Sequence, residues 1–520
     1  MLPLTRFRFI LYSMGLAALC LFYYQDTIDL PLDTHDYETL IDNKLIREDF
    51  QLFFSSAKKQ FTGRPVAEAI KFIVGLPFGD DTRPFHATNI LLHIVNCILL
   101  AWLIKRITQD DHLAILTSVL FAVSPIHHQA IHHMSAMDYL LSGGFALGSI
   151  HAMLGGRAPW AFALAICSIL SHAASFAPLA LLSLFVGHRY RYGATIAFIG
   201  LAAIVLSLTP DHTSTGTTLR GWTSGLQSLW DFIQAYLWLA GRHATTLLWH
   251  FPPTLSFADW EIWVGFGTIL LAAASALPAG GTSRKILLVT AVTILPFGLM
   301  ITDINSGHTG GSARYRYLSA ITFCWIVSSG SLWLLRRLPN PKVQLASMAA
   351  TIMTILVVTY TTGKETYISS LYSTSRSRLA NKGTVEGSEL MLQVLRSPHN
   401  RLIDVEDLYM RLGVVAIIAF DEPQRIIKEG FARYPDNYTL QIFLLSMRAF
   451  EGDESAYHAL NELSLQLDNV HSVCANVYNN LGTRFQQRGD RERAIRAYRL
   501  AHDIQPKEKY LRYIKDLQTQ

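Results

Sequence analysis

The sequence predicts an all-α protein in two parts: a polytopic transmembrane helical domain over 1–361 and a helical solenoid over 400–520, with a linker at 362–399. Three observations predict it. Half of the 520 residues are hydrophobic and only 16% are charged, against about 25% charged in an average soluble chain. Apolar stretches near bilayer length recur as far as residue 361. Beyond them the chain turns polar and carries a pattern of small and aromatic residues typical of paired helices. The mean hydropathy is +0.25. The formal net charge is only +5, and nucleic acid is not expected as a partner.

The first helix is expected at 8–24. "MLPLTRFRFILYSMGLAALCLFYYQD" places Arg6 and Arg8 before an apolar run, as a signal peptide does. No small-residue cleavage site follows, so an uncleaved span is expected. Further spans are expected at 87–107, 112–125, 137–154, 158–171, 173–187, 193–209, 261–280, 285–302, 317–335 and 343–361, about eleven in all. With the N-terminus cytoplasmic, every second loop is cytoplasmic too. Those loops carry Lys105 and Arg106, Arg157, Arg189 and Arg191, Arg284 and Lys285, then Arg336, Arg337 and Lys342. Each is short and basic, as the positive-inside rule requires. An odd number of spans puts the C-terminal part on the outer side.

The outer loops at 25–86, 210–260 and 303–316 are longer. The second contains "SLWDFIQAYLWLAGRHATTLLWH", whose tryptophans, with Asp231, Arg242 and His243, suit an interfacial helix. Cys20, Cys97, Cys167, Cys324 and Cys474 are scattered without paired spacing, which argues against a disulfide framework or a cysteine zinc site. "SPIHHQAIHHMSAMD", residues 124–138, lies between the third and fourth spans and so on the outer face. It holds His127, His128, His132 and His133. On a helix His128 and His132 stand one turn apart and could bind zinc, with Asp138 as the acid nearby. The other readings are a hydrated interfacial loop and the wall of a substrate site.

In the C-terminal part, "VYNNLGTRFQQRGDRERAIRAYRLAHDIQPKE" fits the tetratricopeptide pattern. Tyr478, Leu481, Gly482 and Phe485 match its first helix. Ala494, Tyr498 and Ala501 match its second, and Pro506 the closing turn. Earlier segments ending at Pro435-Asp436-Asn437 and Asp468-Asn469 are degenerate repeats of similar spacing. The repeats either cap the membrane domain or offer a concave face to a peptide. Tyr478, Asn479 and Arg484 are the candidate acceptor- or partner-binding residues. Asn437-Tyr438-Thr439 is also a glycosylation sequon.

Several further motifs carry a family resemblance. "HDYETLIDNKL" and "TGRPVAEAI" in the first outer loop place Asp36, Asn43, Arg64 and Pro65 at motif positions. "FHATNILLHIVN" supplies His86, Asn89 and His93, and "ARYRYLSA" supplies Arg314, Tyr315 and Tyr317. "HFPPTLSFADW" places Asp259 before a span. In the histidine-rich stretch Pro125, His127 and Ala130 match. Together these resemble the transmembrane-and-tetratricopeptide O-mannosyltransferase-like proteins and their bacterial relatives, of the glycosyltransferase C-type fold. The departures are His35 for a first acid, Ser124 for His, Gln129 for Glu and Met137 for Arg, with the Asp either replaced by Tyr139 or displaced to Asp138. His172-Ala173 stands where the family has Lys-Glu.

The resemblance implies a sugar donor on a polyprenyl phosphate, used outside the membrane, and an acceptor that is a protein hydroxyl or a glycan. The leaving phosphate must be met by cations or oriented donors. Arg314, Arg316, Arg64, His127, His86 and His172 are the candidates, because arginine forks suit phosphate oxygens. Arg316 could equally snorkel to the interface. The acceptor hydroxyl needs a base. Asp36 is the candidate, with His35 orienting or replacing it; the alternative for Asp36 is a helix N-cap. For His93 the alternative is interhelical hydrogen bonding. The sequence shows no required cofactor; a divalent metal is the weaker alternative, since the loss of an acid at His35 weakens a two-carboxylate site. The implied location is a bacterial inner membrane, with the repeats in the periplasm. A non-catalytic scaffold and a lipid-linked glycan ligase are the other readings.

Overall fold

The computed structural model describes residues 2–31, 36, 64–75, 81–172, 175, 179, 196–197, 199–201, 204, 237, 241, 263–270, 317–381, 384–419, 422–466 and 471–519. Every regular element among the described residues is helical. The chain divides into two compact units, Met1–Thr374 and Ser375–Gln520.

The first unit contains α1 (Leu2–Tyr24), α2 (Pro65–Gly75), α3 (Arg83–Thr108), α4 (Asp111–Val123), α5 (His128–His132), α6 (Met137–Leu154), α7 (Ala158–Ser171), α8 (Tyr317–Leu335) and α9 (Pro341–Asn381), the last running past the division. Short 3-10 turns stand at Gln25–Asp29, Pro125–His127 and Met134–Ala136. Among the described residues three stretches are long and apolar enough to cross a membrane: Phe7–Asp29, Arg83–Thr108 and Pro341–Arg376. Asp111–Val123 and Pro125–His132, bent by 47°, make a fourth if taken as one span. The expectation of about eleven spans is therefore met only in part. α4 and α7 have 13 and 14 residues, fewer than the roughly 20 that a straight span needs. The spans expected at 173–187, 193–209 and 261–280 lie mostly outside the described residues, and that at 285–302 entirely so.

α3 is apolar outside and polar inside. Leu91 is 60% exposed, whereas His86, Asn89, His93 and Asn96 form a fully buried stripe at helical spacing. Polar groups in a span are costly unless they face the protein, and this stripe does. α6 meets it through Gly143 and Gly144: a Cβ on Gly144 would stand 2.7 Å from the Asn96 amide oxygen. Asn96 Nδ2 donates to the Leu140 carbonyl and to the Tyr317 hydroxyl of α8, both at 2.9 Å.

The far end of α3 is tied by charge. Lys105 pairs with Asp111 at 2.6 Å, and Arg336 pairs with Asp110. Asp110 also caps α4, accepting from the Leu113 N–H at 3.2 Å. Arg106 donates to the His151 carbonyl at 2.9 Å. The basic residues of the α3–α4 and α8–α9 turns thus share one end of the bundle. Along α9, Tyr23 donates to the Leu356 carbonyl and Lys364 pairs with Asp26.

The segment expected to be a linker, 362–399, contains the division between the two units and is mostly helical among the described residues. α9 continues to Asn381 and α10 occupies Thr384–Arg396. "KETYISSLYSTSRSRLAN" is polar but holds no proline or glycine to stop a helix, and Thr366, Ser370 and Thr374 are buried along it.

The second unit goes on with α11 (Val405–Ala419), α12 (Glu422–Arg433), α13 (Tyr438–Phe450), α14 (Glu454–Gln466), α15 (His471–Gln487), α16 (Arg491–Ile504) and α17 (Glu508–Thr519). Close pairs form where small residues meet rings. A Cβ on Gly482 would stand 2.7 Å from the Tyr498 ring, and one on Gly413 2.3 Å from Phe443. Leu481, Phe485, Ala494, Tyr498 and Ala501 are buried between α15 and α16, as the small-and-aromatic pattern requires. Asn437 and Asp490 cap α13 and α16, accepting from Leu440 N–H at 3.0 Å and Arg493 N–H at 3.2 Å.

Candidate functional site

Residues 124–138 break the helical run of the first unit at the bundle end opposite the basic turns. Ser124, the turn Pro125–His127, α5 and the turn Met134–Ala136 form irregular backbone deep in an apolar fold. Such backbone survives only if its polar groups are satisfied internally. Side chains from four directions do this. Asn89 donates to the Ile131 and His133 carbonyls at 3.2 and 3.0 Å. Lys71 of α2, itself buried, donates to the Ser135 carbonyl at 3.2 Å. Asp36 accepts from the Met134 N–H at 3.2 Å and from the Ser135 N–H at 2.7 Å. Arg64 pairs with the fully buried Asp138 in the first turn of α6.

The result is a buried cluster of ionisable groups: Asp36, Arg64, Glu68, Lys71, His86 and Asp138. Lys71 also meets Glu68 at 3.4 Å, and His86 Nε2 donates to the Leu30 carbonyl at 2.9 Å. Several polar atoms here have no hydrogen-bond partner among the described residues: His86 Nδ1, the Asn89 side-chain oxygen and the Ser135 hydroxyl. Unsatisfied buried polar atoms are few in folded proteins, and each invites an explanation.

The sequence-derived candidates fall into distinct places. Asp36 is buried in the cluster and does cap a helical turn, though one distant in sequence: the turn leading into α6. Arg64 and His86 join it. His127 instead enters the core, with its ring 4.4 Å from Phe121, 4.8 Å from Tyr317 and 5.2 Å from His93. Neither of its ring nitrogens has a hydrogen-bond partner among the described residues. His172 ends α7, where its N–H meets the Ser168 carbonyl at 3.0 Å and its ring lies 4.3 Å from Tyr139. His35, Arg314 and Arg316 lie outside the described residues, as do Asn43, Asp259 and Tyr315. In the second unit Tyr478 is fully buried with its ring 5.7 Å from that of Tyr457, so it is a core aromatic rather than a surface contact. Asn479 is half-buried, and Arg484 lies over Phe450.

His93 belongs to an interhelical chain. Its Nε2 faces the Ala122 carbonyl at 3.1 Å and must therefore donate. Nδ1 then accepts from the Tyr317 hydroxyl at 2.9 Å, and that oxygen accepts from Asn96. His93 also stands beside Cys20 and Cys97, with ligand-type atoms within 4.8 Å of one another. His93 and Cys97 stand one turn apart on α3, but Cys20 comes from α1, far away in sequence, so the group forms only on folding. Both imidazole nitrogens are already committed, so His93 has no lone pair to offer a metal without breaking this chain.

A second feature was missed by sequence reading. A small cleft is lined by Tyr24 at the end of α1, Asp26 just after it, His128 and His132 of α5, and Lys364 and Tyr367 of α9. His132 Nδ1 is 2.9 Å from the Ser370 hydroxyl. Lys364 and Tyr367 escaped notice because "KETY" lies in the stretch taken for a linker. Three of the four histidines thus divide: His127 faces the core, and His128 and His132 face the cleft. No protein-family model, curated protein or solved structure matches this chain.

Proposed function

We propose that the protein is an integral-membrane glycosyltransferase that moves a sugar from a polyprenyl-phosphate donor to an acceptor hydroxyl outside the membrane, the acceptor being a protein serine or threonine. The observation that carries this reading is the buried ionisable cluster around residues 134–138, at the end of the bundle away from the basic turns. Ionisable groups buried among membrane helices mark substrate sites by default, since burial is costly without a use.

In this reading Asp36 is the base that accepts the proton of the acceptor hydroxyl. The Met134 and Ser135 backbone N–H groups orient its carboxylate. Arg64 supplies positive charge for the leaving phosphate by turning from Asp138, and Arg314 and Arg316 add to it from the third outer loop. Asp138 holds Arg64 ready until the donor arrives.

The test is transfer from a polyprenyl phosphate bearing radiolabelled hexose to membrane proteins in proteoliposomes. Asp36→Asn is expected to lower the rate about a hundredfold or more, as loss of a general base does, beyond what any fall in the folded fraction accounts for. Unchanged transfer would remove Asp36 from this role. A second reading, a non-catalytic scaffold, is favoured by one observation: Asp36, Lys71 and Asn89 all hold the backbone of 131–135. Under it, Asp36→Asn changes the melting temperature and the native protein turns over no lipid-linked sugar.

A further inference from the structure

Two arginines of the second unit lack the counter-charge that their neighbours have. Arg484 in α15 and Arg488 one turn later place their guanidinium carbons 4.5 and 3.9 Å from the centre of the Phe450 ring. Around them Arg448 pairs with Asp453, Arg493 with Asp490 and Arg496 with Glu454. Neither Arg484 nor Arg488 forms an ion pair with a described carboxylate. Phe450 is itself held, nearly buried, with its ring 5.5 Å from Phe485.

Like charges one helical turn apart repel. Burial first, and the charge of Arg488 second, hold the pKa of Arg484 below its usual value. An arginine resting on an aromatic face keeps its planar N–H edge available for a carboxylate. The surrounding segment is basic as well, with ten Lys and Arg against five Asp and Glu between 471 and 519.

We propose that Arg484 and Arg488, seated on Phe450, bind the carboxylates of an acidic peptide segment. A polypeptide fits better than an anionic membrane surface. Membrane docking needs apolar side chains beside the charge, and among the described residues of this unit the exposed large apolar ones are Tyr438, Leu511 and Tyr513, on other helices. The proposal does not depend on the transferase reading, because binding needs no sugar donor.

The experiment uses the full chain in phosphatidylcholine nanodiscs and the fluorescence anisotropy of a fluorescein-labelled hexaglutamate peptide at low salt. The native protein is expected to bind hexaglutamate and not hexaglutamine. Arg484→Gln and Arg488→Gln should each weaken binding about tenfold, as loss of a charge-assisted hydrogen bond does. Phe450→Leu, which keeps both charges, should weaken it too. Arg512→Gln, exposed on α17, should bind as the native protein does. The proposal is overturned if Arg512→Gln weakens binding as much as the Arg484 variant, or if the doubly substituted protein still binds. It is equally overturned if the native protein ignores the peptide but binds phosphatidylserine vesicles. Melting curves on every variant show whether a loss is one of folding, and the arginine variants decide if Phe450→Leu unfolds.

Discussion

At the scale of single residues, polar side chains in this protein are mostly employed on backbone. Asp453, at the surface, binds side chains as well as backbone. It accepts from the Ser455 hydroxyl at 2.5 Å, from Arg448 at 2.6 Å and from the Ala456 N–H at 3.2 Å. These contacts, Ser455 foremost, pull its pKa from 3.8 down to about 2. A carboxyl with a depressed folded pKa stabilises above its unfolded pKa and loses that contribution as pH falls through the folded one. Asp453→Ala is therefore expected to melt lower than the native protein at neutral pH, with the gap closing between about pH 4 and pH 2. Melting curves across that range check it; a gap unchanged at pH 2 counts against the argument. Asn437 shows the same economy. The sequon nitrogen donates to Glu406 at 2.5 Å while its oxygen caps α13, so this side chain has a structural use that explains its presence without glycosylation.

At the scale of elements, α3 organises the first unit. Its stripe of His86, Asn89, His93 and Asn96 reaches the α1 exit, the 131–133 backbone, α4, α6 and α8. In an apolar bundle hydrogen bonds to a neighbour's carbonyl fix rotation and depth, which hydrophobic contact alone does not. Close approach of α6 is part of the device. Gly144→Ala would put a methyl 2.7 Å from the Asn96 amide oxygen. The expected cost is about 1–3 kcal/mol, from overpacking and a disturbed hydrogen-bond pair. Thermal unfolding of purified protein in detergent measures it; a native melting temperature would mean that α6 shifts freely. Gly148 is a useful control on the same helix, since a Cβ there would meet Leu164 at an ordinary 3.4 Å.

At the scale of the whole molecule, the distribution of charge predicts orientation. The Lys105–Asp111 and Arg336–Asp110 pairs gather the basic turns at one end of the bundle, and short basic loops stay cytoplasmic. Single cysteines introduced at Gln109 and at Gln518 in a cysteine-free background should react differently with a membrane-impermeant maleimide added to intact cells. Gln518 is expected to be labelled, and Gln109 only after lysis. Labelling of both, or of neither, before lysis would overturn the expected topology.

Much of the fold was legible in the sequence, for physical reasons that differ along the chain. α1, α3 and α9 could be read because bilayer-length apolar runs have few alternatives. The α15–α16 pair could be read because Gly482 and Tyr498 are a local fit. The end of the first unit could not: α9 outruns its apolar segment, and polar residues that a helix tolerates look like a linker. In the site, Asp36, Arg64 and His86 were found as types of residue at motif spacing. That Asp36 caps a turn almost a hundred residues away was not readable, because the partner is set by packing.

The sequence by itself determined that this chain is helical, that its N-terminal part suits a membrane, and that a basic helical segment follows. Those properties depend on composition and on spacing within one element. The tertiary structure alone decided which histidine faces the core and which the cleft, and that Lys71, Asp36 and Asn89 meet on one stretch of irregular backbone. It also decided that Arg484 and Arg488 share a ring without a counter-charge. Each of these depends on which elements come together, and side chains distant in sequence acquire their partners, their burial and their chemistry only at that step.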